Sequence, residues 1–196
     1  MLKSDDVVWI FDGRAGMQRI LADLVGGLLV TMQELMPPSA LQRFDDPLAA
    51  IEADETFDAR GAVKGNRLQR LFPEHVSAEF DEGGDAREGV IRTRAIEMHR
   101  AASTVIADLE ASPGELVPVE QSSMHSWLRT LGALRAGWHA DLVGTDNPAA
   151  EASVAQLEEN PGLATLLEWL GYLLEDLLAT HAACVNAGTG IDISEL

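Results

Sequence analysis

The sequence predicts a mainly α-helical, bundle-like single domain that carries a short two-stranded ribbon. Four long segments repeat their apolar residues at the three- and four-residue spacing of an α-helix. Only residues 7–11 and 116–119 have the short, apolar and β-branched character of strands. No polar boundary divides the chain, so we expect one helical domain over residues 1–187 and a flexible C-terminal tail over residues 188–196.

The two candidate strands, residues 7–11 and 116–119, are predicted to pair as a ribbon. Asp12-Gly13 ends the first of them as a turn. Pro118 has no backbone N–H to donate, which predicts that its strand lies at an edge. Two strands alone are marginal in water, so helices should cover one face of the ribbon.

The first long helix is predicted from Arg14 to Met36, and Pro37-Pro38 ends it. Its apolar face is broad enough to suggest burial on two sides. Gly26-Gly27 lies in the middle of this helix, where each glycine costs about 1 kcal/mol relative to alanine. We therefore expect another element to pack closely against this point.

Shorter elements are predicted to follow. Asp46-Pro47 has the cap-then-proline pattern of a helix start, which predicts a short helix to about Phe57. Residues 58–66 are expected to form a loop. Residues 67–72 are expected to form a helical turn that Pro73 stops.

Two long helices are predicted in the middle of the chain. Asp85 followed by Glu88 resembles a capping box, which predicts a helix that runs to about Leu109. A second helix is predicted over residues 120–143, where an apolar stripe recurs at helical spacing.

Two more helix starts are predicted near the C-terminus, at Asn147-Pro148 and Asn160-Pro161. The second of them opens the most leucine-rich helix of the chain. Together with the broad apolar first helix, it presents more apolar surface than one bundle buries, which predicts a homodimer.

The charge balance restricts the partners. There are 32 acidic against 14 basic residues, giving a net charge of −18. This charge excludes nucleic-acid binding driven by counterion release over the whole surface, and also attraction to anionic membranes. The first thirty residues lack the pattern of a secretory signal, and the uncharged stretch 24–33 is shorter than the ~20 apolar residues that span a bilayer. We expect a cytoplasmic protein.

The residues that could carry chemistry form no recognisable constellation. None of the five histidines has a glutamate three residues before it, as a di-iron bundle requires, and no glycine-rich phosphate loop or nucleophile elbow occurs. Cys184 is the only cysteine; we interpret it as a small buried apolar residue, with a surface thiol as the alternative. We predict no catalytic residue, no cofactor and no metal, and therefore no enzyme.

The basic residues are concentrated in the middle of the chain, whereas no Lys or Arg follows Arg135. This middle segment either neutralises acidic residues inside the fold or contacts a phosphate group or an acidic partner. Trp127, Trp138 and Trp169 lie on apolar stripes and are expected in the core, whereas Trp9 could anchor a partner. The candidate partner contacts are Arg60, Lys64, Arg67, Arg70, Arg92, Arg94 and Trp9.

Several short motifs in a fixed order resemble a family. They are Leu71-Phe72-Pro73-Glu74, Arg92-Thr93, the strand-like Leu116–Val119, Trp127-Leu128-Arg129-Thr130-Leu131 and Glu168-Trp169-Leu170-Gly171-Tyr172-Leu173. In this order they resemble the actinobacterial domain-of-unknown-function family 2017 over nearly the whole chain. The chain departs from the family pattern at Gly132-Ala133 and at His139-Ala140-Asp141-Leu142.

The resemblance implies a cytoplasmic bacterial helical protein without an established enzyme activity. It also implies a link to proteolysis or stress regulation, because genes of the family commonly lie beside that of a protease adaptor. We predict a non-enzymatic regulatory or adaptor protein that acts through protein–protein contacts. The alternative is a transcription-associated regulator that contacts DNA or the transcription machinery through residues 60–100.

Overall fold

The structure is a computed structural model that describes residues 2–73, 85–112 and 116–193. It has a mainly α-helical fold with a two-stranded antiparallel sheet, which confirms the predicted fold class. The strands are β1 (Val7–Asp12) and β2 (Leu116–Glu120). The helices are α1 (Met17–Gln33), preceded by a 3-10 turn at Arg14–Gly16, α2 (Pro38–Leu41), α3 (Pro47–Glu55), α4 (Ala59–Ala62), α5 (Gly65–Leu71), α6 (Asp85–Ala111), α7 (Met124–Val143), α8 (Val154–Glu159) and α9 (Pro161–Ala187).

The predicted ribbon is present, with β1 and β2 paired antiparallel. Ile10 lies opposite Pro118, and the register shifts between Val7 and Trp9. Val8 and Trp9 are both buried despite being adjacent in sequence, which an unbroken two-residue alternation would not allow. α9 packs along β1 and α6 contacts β2, so helices cover the ribbon as expected.

The core centres on an aromatic cluster between β1, α7 and α9. The ring centroid of Trp127 lies 5.5 Å from that of Trp9 and 5.8 Å from that of Phe11, and Trp169 lies 6.5 Å from Phe11. Trp127 is fully buried, whereas Trp138 and Trp169 are half-buried and pack against the core.

Both buried indoles donate their N–H to a carboxylate on a neighbouring helix. Trp9 Nε1 donates to Asp176 of α9 at 2.7 Å, and Trp127 Nε1 donates to Asp108 of α6 at 2.8 Å. Because a buried indole N–H without a partner would be costly, these two bonds fix how β1 meets α9 and how α7 meets α6.

The long helices pack in the order α1, α6, α7, α9, and α5 lies on α7. One stripe of α1, formed by Leu21, Val25, Leu28 and Met32, is buried, and α1 has its main contact with α6. The segment Arg14–Gln33 is 20 residues long and apolar enough by composition to cross a membrane, a test that core helices of soluble proteins also pass.

The expectation of a close packing partner at Gly26-Gly27 is wrong. A Cβ atom placed on either glycine would meet nothing within 4 Å. The side of α1 that carries Ile20 and Val30 is exposed, so the helix is not buried on two sides.

One segment in the first half of the chain, residues 58–66, differs from the prediction. The expected loop 58–66 contains the short helix α4, because Asp58 Oδ1 accepts a hydrogen bond from Gly61 N at 2.8 Å and caps it. α3 begins as predicted, with Asp46 accepting from Leu48 N. The predicted cap of α6 involves the side chain of Asp85, which lies outside the described residues.

Two boundaries differ in the second half as well. Glu120 belongs to β2, so α7 begins at Met124. Asn147-Pro148 forms a turn in which Asn147 Oδ1 accepts from Ala149 N, and the next helix begins only after the capping box of Ser153 and Gln156. The final helix starts at Pro161 as predicted.

The chain continues past the predicted domain boundary at residue 187. α9 ends where Gly188 adopts φ +72°, and Ile191 N then donates to Val7 O at 2.7 Å. Residues 188–193 therefore include a backbone contact with β1, and 194–196 lie outside the described residues. The flexibility of this tail stays a prediction.

Gly27→Ala is expected to raise the free energy of unfolding by about 0.5–1 kcal/mol, because alanine favours the helix and its methyl group has open space. Denaturant unfolding checks this. Gly144→Ala is the control and should lower stability by about 1–2 kcal/mol, because Gly144 has φ +72°. A destabilised Gly27→Ala variant would mean that a close contact does exist there.

Candidate interaction surface

The predicted basic contact residues do not form one patch. The structure distributes them over α4, α5 and two different sides of α6. Arg67 and Arg92 make contacts within the fold. The side chains of Arg60, Lys64 and Arg94 are exposed, and that of Arg70 is partly buried.

Arg67 joins α5 to α7. Its Nε donates to Asp141 Oδ2 at 2.9 Å, and its Nη2 donates to the same oxygen. The guanidinium lies over the Trp138 ring, 3.7 Å from the centroid, and the side chain passes the position that a Cβ of Gly137 would occupy. Arg67 therefore holds two helices together through an ion pair and a cation–π contact.

Arg92 connects α6 to the end of α3. Its Nη2 donates to the carbonyl oxygens of Asp54 at 2.8 Å and Phe57 at 2.7 Å, and it also pairs with Glu88 one turn away. The free carbonyl groups at a helix C-terminus attract a cation. Arg92 thus makes its contacts within the fold.

Arg60, Lys64 and Arg70 lie on the α4–α5 side of the molecule. Arg60 lines an open cavity of about 700 Å³ whose wall also includes Arg87 and the acidic residues Asp58, Glu88 and Asp146. Because both acids and bases line this cavity, its charge favours neither sign of ligand strongly.

Trp9 does not lie on the surface. Only 2% of it is exposed, and its N–H is bonded to Asp176. Its ring belongs to the core and offers no surface to a partner.

Two exposed arginines, Arg94 and Arg100, lie in a groove between α6 and α7. Arg94 lines a cavity of about 650 Å³ at one end, and Arg100 lines a cavity of about 670 Å³ at the other. His125 of α7 lies on the wall of the second cavity. We name these two adjoining cavities the basic groove.

An ion pair separates the two halves of the basic groove. Arg129 Nη1 donates to Glu97 Oε2 at 3.0 Å across α6 and α7, and both residues line both cavities. Both side chains are half-exposed, so this pair contributes about 1 kcal/mol or less and can exchange partners at small cost.

Arg94 and Arg100 have exposed side chains that make no hydrogen bond or ion pair within the part of the chain that the structure describes. Val90, with 56% of its surface exposed, lies beside Arg94 on the wall of the groove. The groove therefore combines positive charge with apolar surface, which suits an acidic amphipathic segment.

Arg94 is among the contact residues predicted from the sequence, whereas Arg129 and His125, which also line the groove, are not. Helical spacing could have identified these two residues. Residues 90, 94, 97 and 101 share one side of α6, and residues 125 and 129 share one side of α7. The antiparallel packing of α6 on α7, which periodicity does not reveal, places these two sides next to each other.

Two side chains of α9 that could serve as metal ligands have partners within the fold. Asp176 is bonded to Trp9, and His181 Nε2 lies 3.0 Å from Gln121 Oε1. Among the described residues, no three His, Cys, Asp or Glu side chains are placed to hold a metal ion. Cys184 is buried, which favours its interpretation as a small apolar residue.

Hydrogen bonds between Ser39 and Asp54 join α2 to α3. Asp54 accepts hydrogen bonds from Ser39 N at 3.0 Å and from Ser39 Oγ at 2.5 Å. Burial raises the pKa of the Asp54 carboxyl, but these bonds and the charge of Arg92 outweigh it, so the pKa lies below its ordinary value.

A comparison with protein-family models finds a match to a family described as domain of unknown function (DUF2017), over residues 11–181. Comparisons with curated proteins and with solved structures find no match. The matched region includes the end of β1, the basic groove and most of α9.

Arg67→Ala is expected to lower the free energy of unfolding by about 1–2 kcal/mol, because it removes the contacts with Asp141 and Trp138. Chemical denaturation measures this change. The control is Arg70→Ala, which should change stability by less than about 0.5 kcal/mol. Equal effects of the two variants would contradict the structural role of Arg67.

Ser39→Ala is expected to raise the pKa of Asp54 toward its ordinary value, because it removes the hydroxyl donor. Carbon-detected NMR titration of the carboxyl group measures the pKa. Since the folded-state pKa is the lower one, the stabilisation is complete above the unfolded value of about 4 and is lost as pH falls through the folded value. An unchanged pKa of Asp54 in the variant would contradict this role of the Ser39 hydroxyl.

Proposed function

Because the chain belongs to the DUF2017 family of domains of unknown function, we propose its function from its own surface: it is a regulatory or adaptor protein without enzyme activity, and it acts by binding protein. The partner segment binds in the basic groove. A cytoplasmic location is part of this proposal.

One observation carries the proposal: a groove with exposed arginines lies on a protein whose net charge is −18. The many acidic residues of such a protein attract its basic side chains. Arg94 and Arg100 nevertheless make no ion pair within the described ranges 2–73, 85–112 and 116–193. Exposed cations beside exposed apolar surface favour capture of an acidic, partly apolar protein segment.

The groove also has the shape that a protein segment requires. It is open along the contact line of two long helices, and Leu128 and Met98 contribute apolar surface to its walls. A helix or extended segment could therefore lie lengthwise in it, with acidic side chains near Arg94, Arg100 and Arg129.

The transcription-associated alternative needs residues 60–100 to form a common basic surface. Arg67 and Arg92 are engaged within the fold, and Arg94 lies on a different side of α6 from Arg92. The remaining cations on the α4–α5 side are Arg60, Lys64 and Arg70. This alternative is therefore less well supported, and it can be tested with the same variants.

The proposed function predicts that a partner protein is retained by the wild type and lost with the basic groove. A tagged pull-down from nuclease-treated native lysate, read by mass spectrometry, compares wild type with Arg94→Glu/Arg100→Glu. We expect at least a tenfold loss of the retained partner, because two attractive contacts become repulsive. Lys64→Glu/Arg70→Glu is the matched control, with the same change in charge, and it should retain the partner.

The other outcomes are equally informative. Loss of the partner with Lys64→Glu/Arg70→Glu alone would place the contact on the α4–α5 side, as the alternative requires. Recovery of only the protein itself by the wild type would overturn the proposal of a separate protein partner. Thermal unfolding of each variant confirms that the loss is not a folding defect.

A further inference from the structure

We propose that the basic groove also receives α3 of a second copy of this chain, and that two copies exchange this contact reciprocally to form a two-fold symmetric dimer. This inference rests on the proposed function, because it assigns an occupant to the same groove. It implies that the dimer covers the groove until a partner displaces the second copy.

α3 is an exposed helix without a fully buried residue. Leu48 and Ile51 are exposed by 61% and 54%, although both are large and apolar. Glu52 and Glu55 are also exposed and lie on the same side of the helix as Leu48 and Ile51, at helical spacing. α3 therefore presents an outward face that is apolar and acidic.

This face complements the basic groove in both charge and polarity. The groove presents Arg94, Arg100 and Arg129 beside exposed Val90. Apolar contact between Ile51 and Val90 would remove two exposed side chains from water, and the glutamates would lie near the arginines.

The two complementary surfaces are neighbours in one chain. Ile51 and Glu55 line a cavity of about 450 Å³ together with Gly89, and Gly89 also lines the basic groove beside Val90. A Cβ on Gly89 would meet nothing within 4 Å, so the α6 backbone can be approached closely there. The acidic face and the basic groove therefore form a continuous surface.

A two-fold interface requires this arrangement. In such an interface each copy uses the same patch, so the patch must contain both halves of every contact. The dimensions also agree: the groove wall from Gly89 to Thr104 is about 22 Å long, and the nine residues of α3 span about 13 Å.

The net charge of each copy opposes association at long range, but this repulsion is screened beyond about 8 Å at physiological ionic strength. Added salt weakens both the local ion pairs, which favour the dimer, and the long-range repulsion, which opposes it. The salt dependence of dimerisation is therefore not decisive, and reversal of local charges is the sharper test.

The experiment uses two purified variants and no lysate. The groove variant is Arg94→Glu/Arg100→Glu, and the helix variant is Glu52→Lys/Glu55→Lys. Sedimentation velocity and light scattering measure the mass of wild type, of each variant and of their equimolar mixture. Val154→Asp, at an exposed site on α8, is the control and should dimerise like wild type.

We expect wild type to dimerise and each variant alone to have a dimer dissociation constant at least tenfold higher. The mixture should restore the dimer, because the acidic groove of one variant faces the basic α3 of the other, while the second half of the interface keeps its natural charges. Ile51→Asp should also weaken the dimer, with an unchanged groove.

A monomeric wild type at high concentration would overturn the inference, and so would a dimer that persists in both variants, which would place the interface on α1 or α9. Failure of the mixture to restore the dimer would equally overturn it. None of these results affects the proposed function, which fails only if no lysate protein depends on the groove.

Discussion

Trp9 and Trp127 pack edge to face, 5.5 Å apart, where β1, α7 and α9 converge. Each indole is buried and must place its N–H on an acceptor, which Asp176 of α9 and Asp108 of α6 provide. These bonds orient β1 on α9 and α7 on α6. Because the basic groove is the outer side of the α6–α7 contact, its width and its arginine positions depend on this buried arrangement.

Arginine has two separate uses in this acidic protein. Arg67 and Arg92 stabilise helix contacts: Arg67 on Trp138, and Arg92 on the carbonyl groups at the end of α3. Their planar guanidinium groups suit stacking and carbonyl recognition. Arg94 and Arg100 instead lie exposed in the basic groove.

The departures from the family pattern can be placed in the same terms. Asp141, within the His139–Leu142 stretch, is the ion-pair partner of Arg67, and Ala133 is buried in the core. Gly132 has open space around its Cβ position. Two of these positions therefore serve packing in this chain, so a change there alters the α5–α7 contact and the core before it alters any surface chemistry.

The sequence alone predicts the helical class, the strand pair, the edge position of Pro118 and the starts of α3 and α9, because periodicity, proline and capping act within a few residues. It did not determine the burial of Trp9, the open surroundings of Gly26-Gly27 or the separation of Arg92 from Arg94. Those depend on which helix faces which, and residues far apart in sequence set that choice through packing. Only the tertiary structure could therefore divide the arginines between the interior contacts and the basic groove.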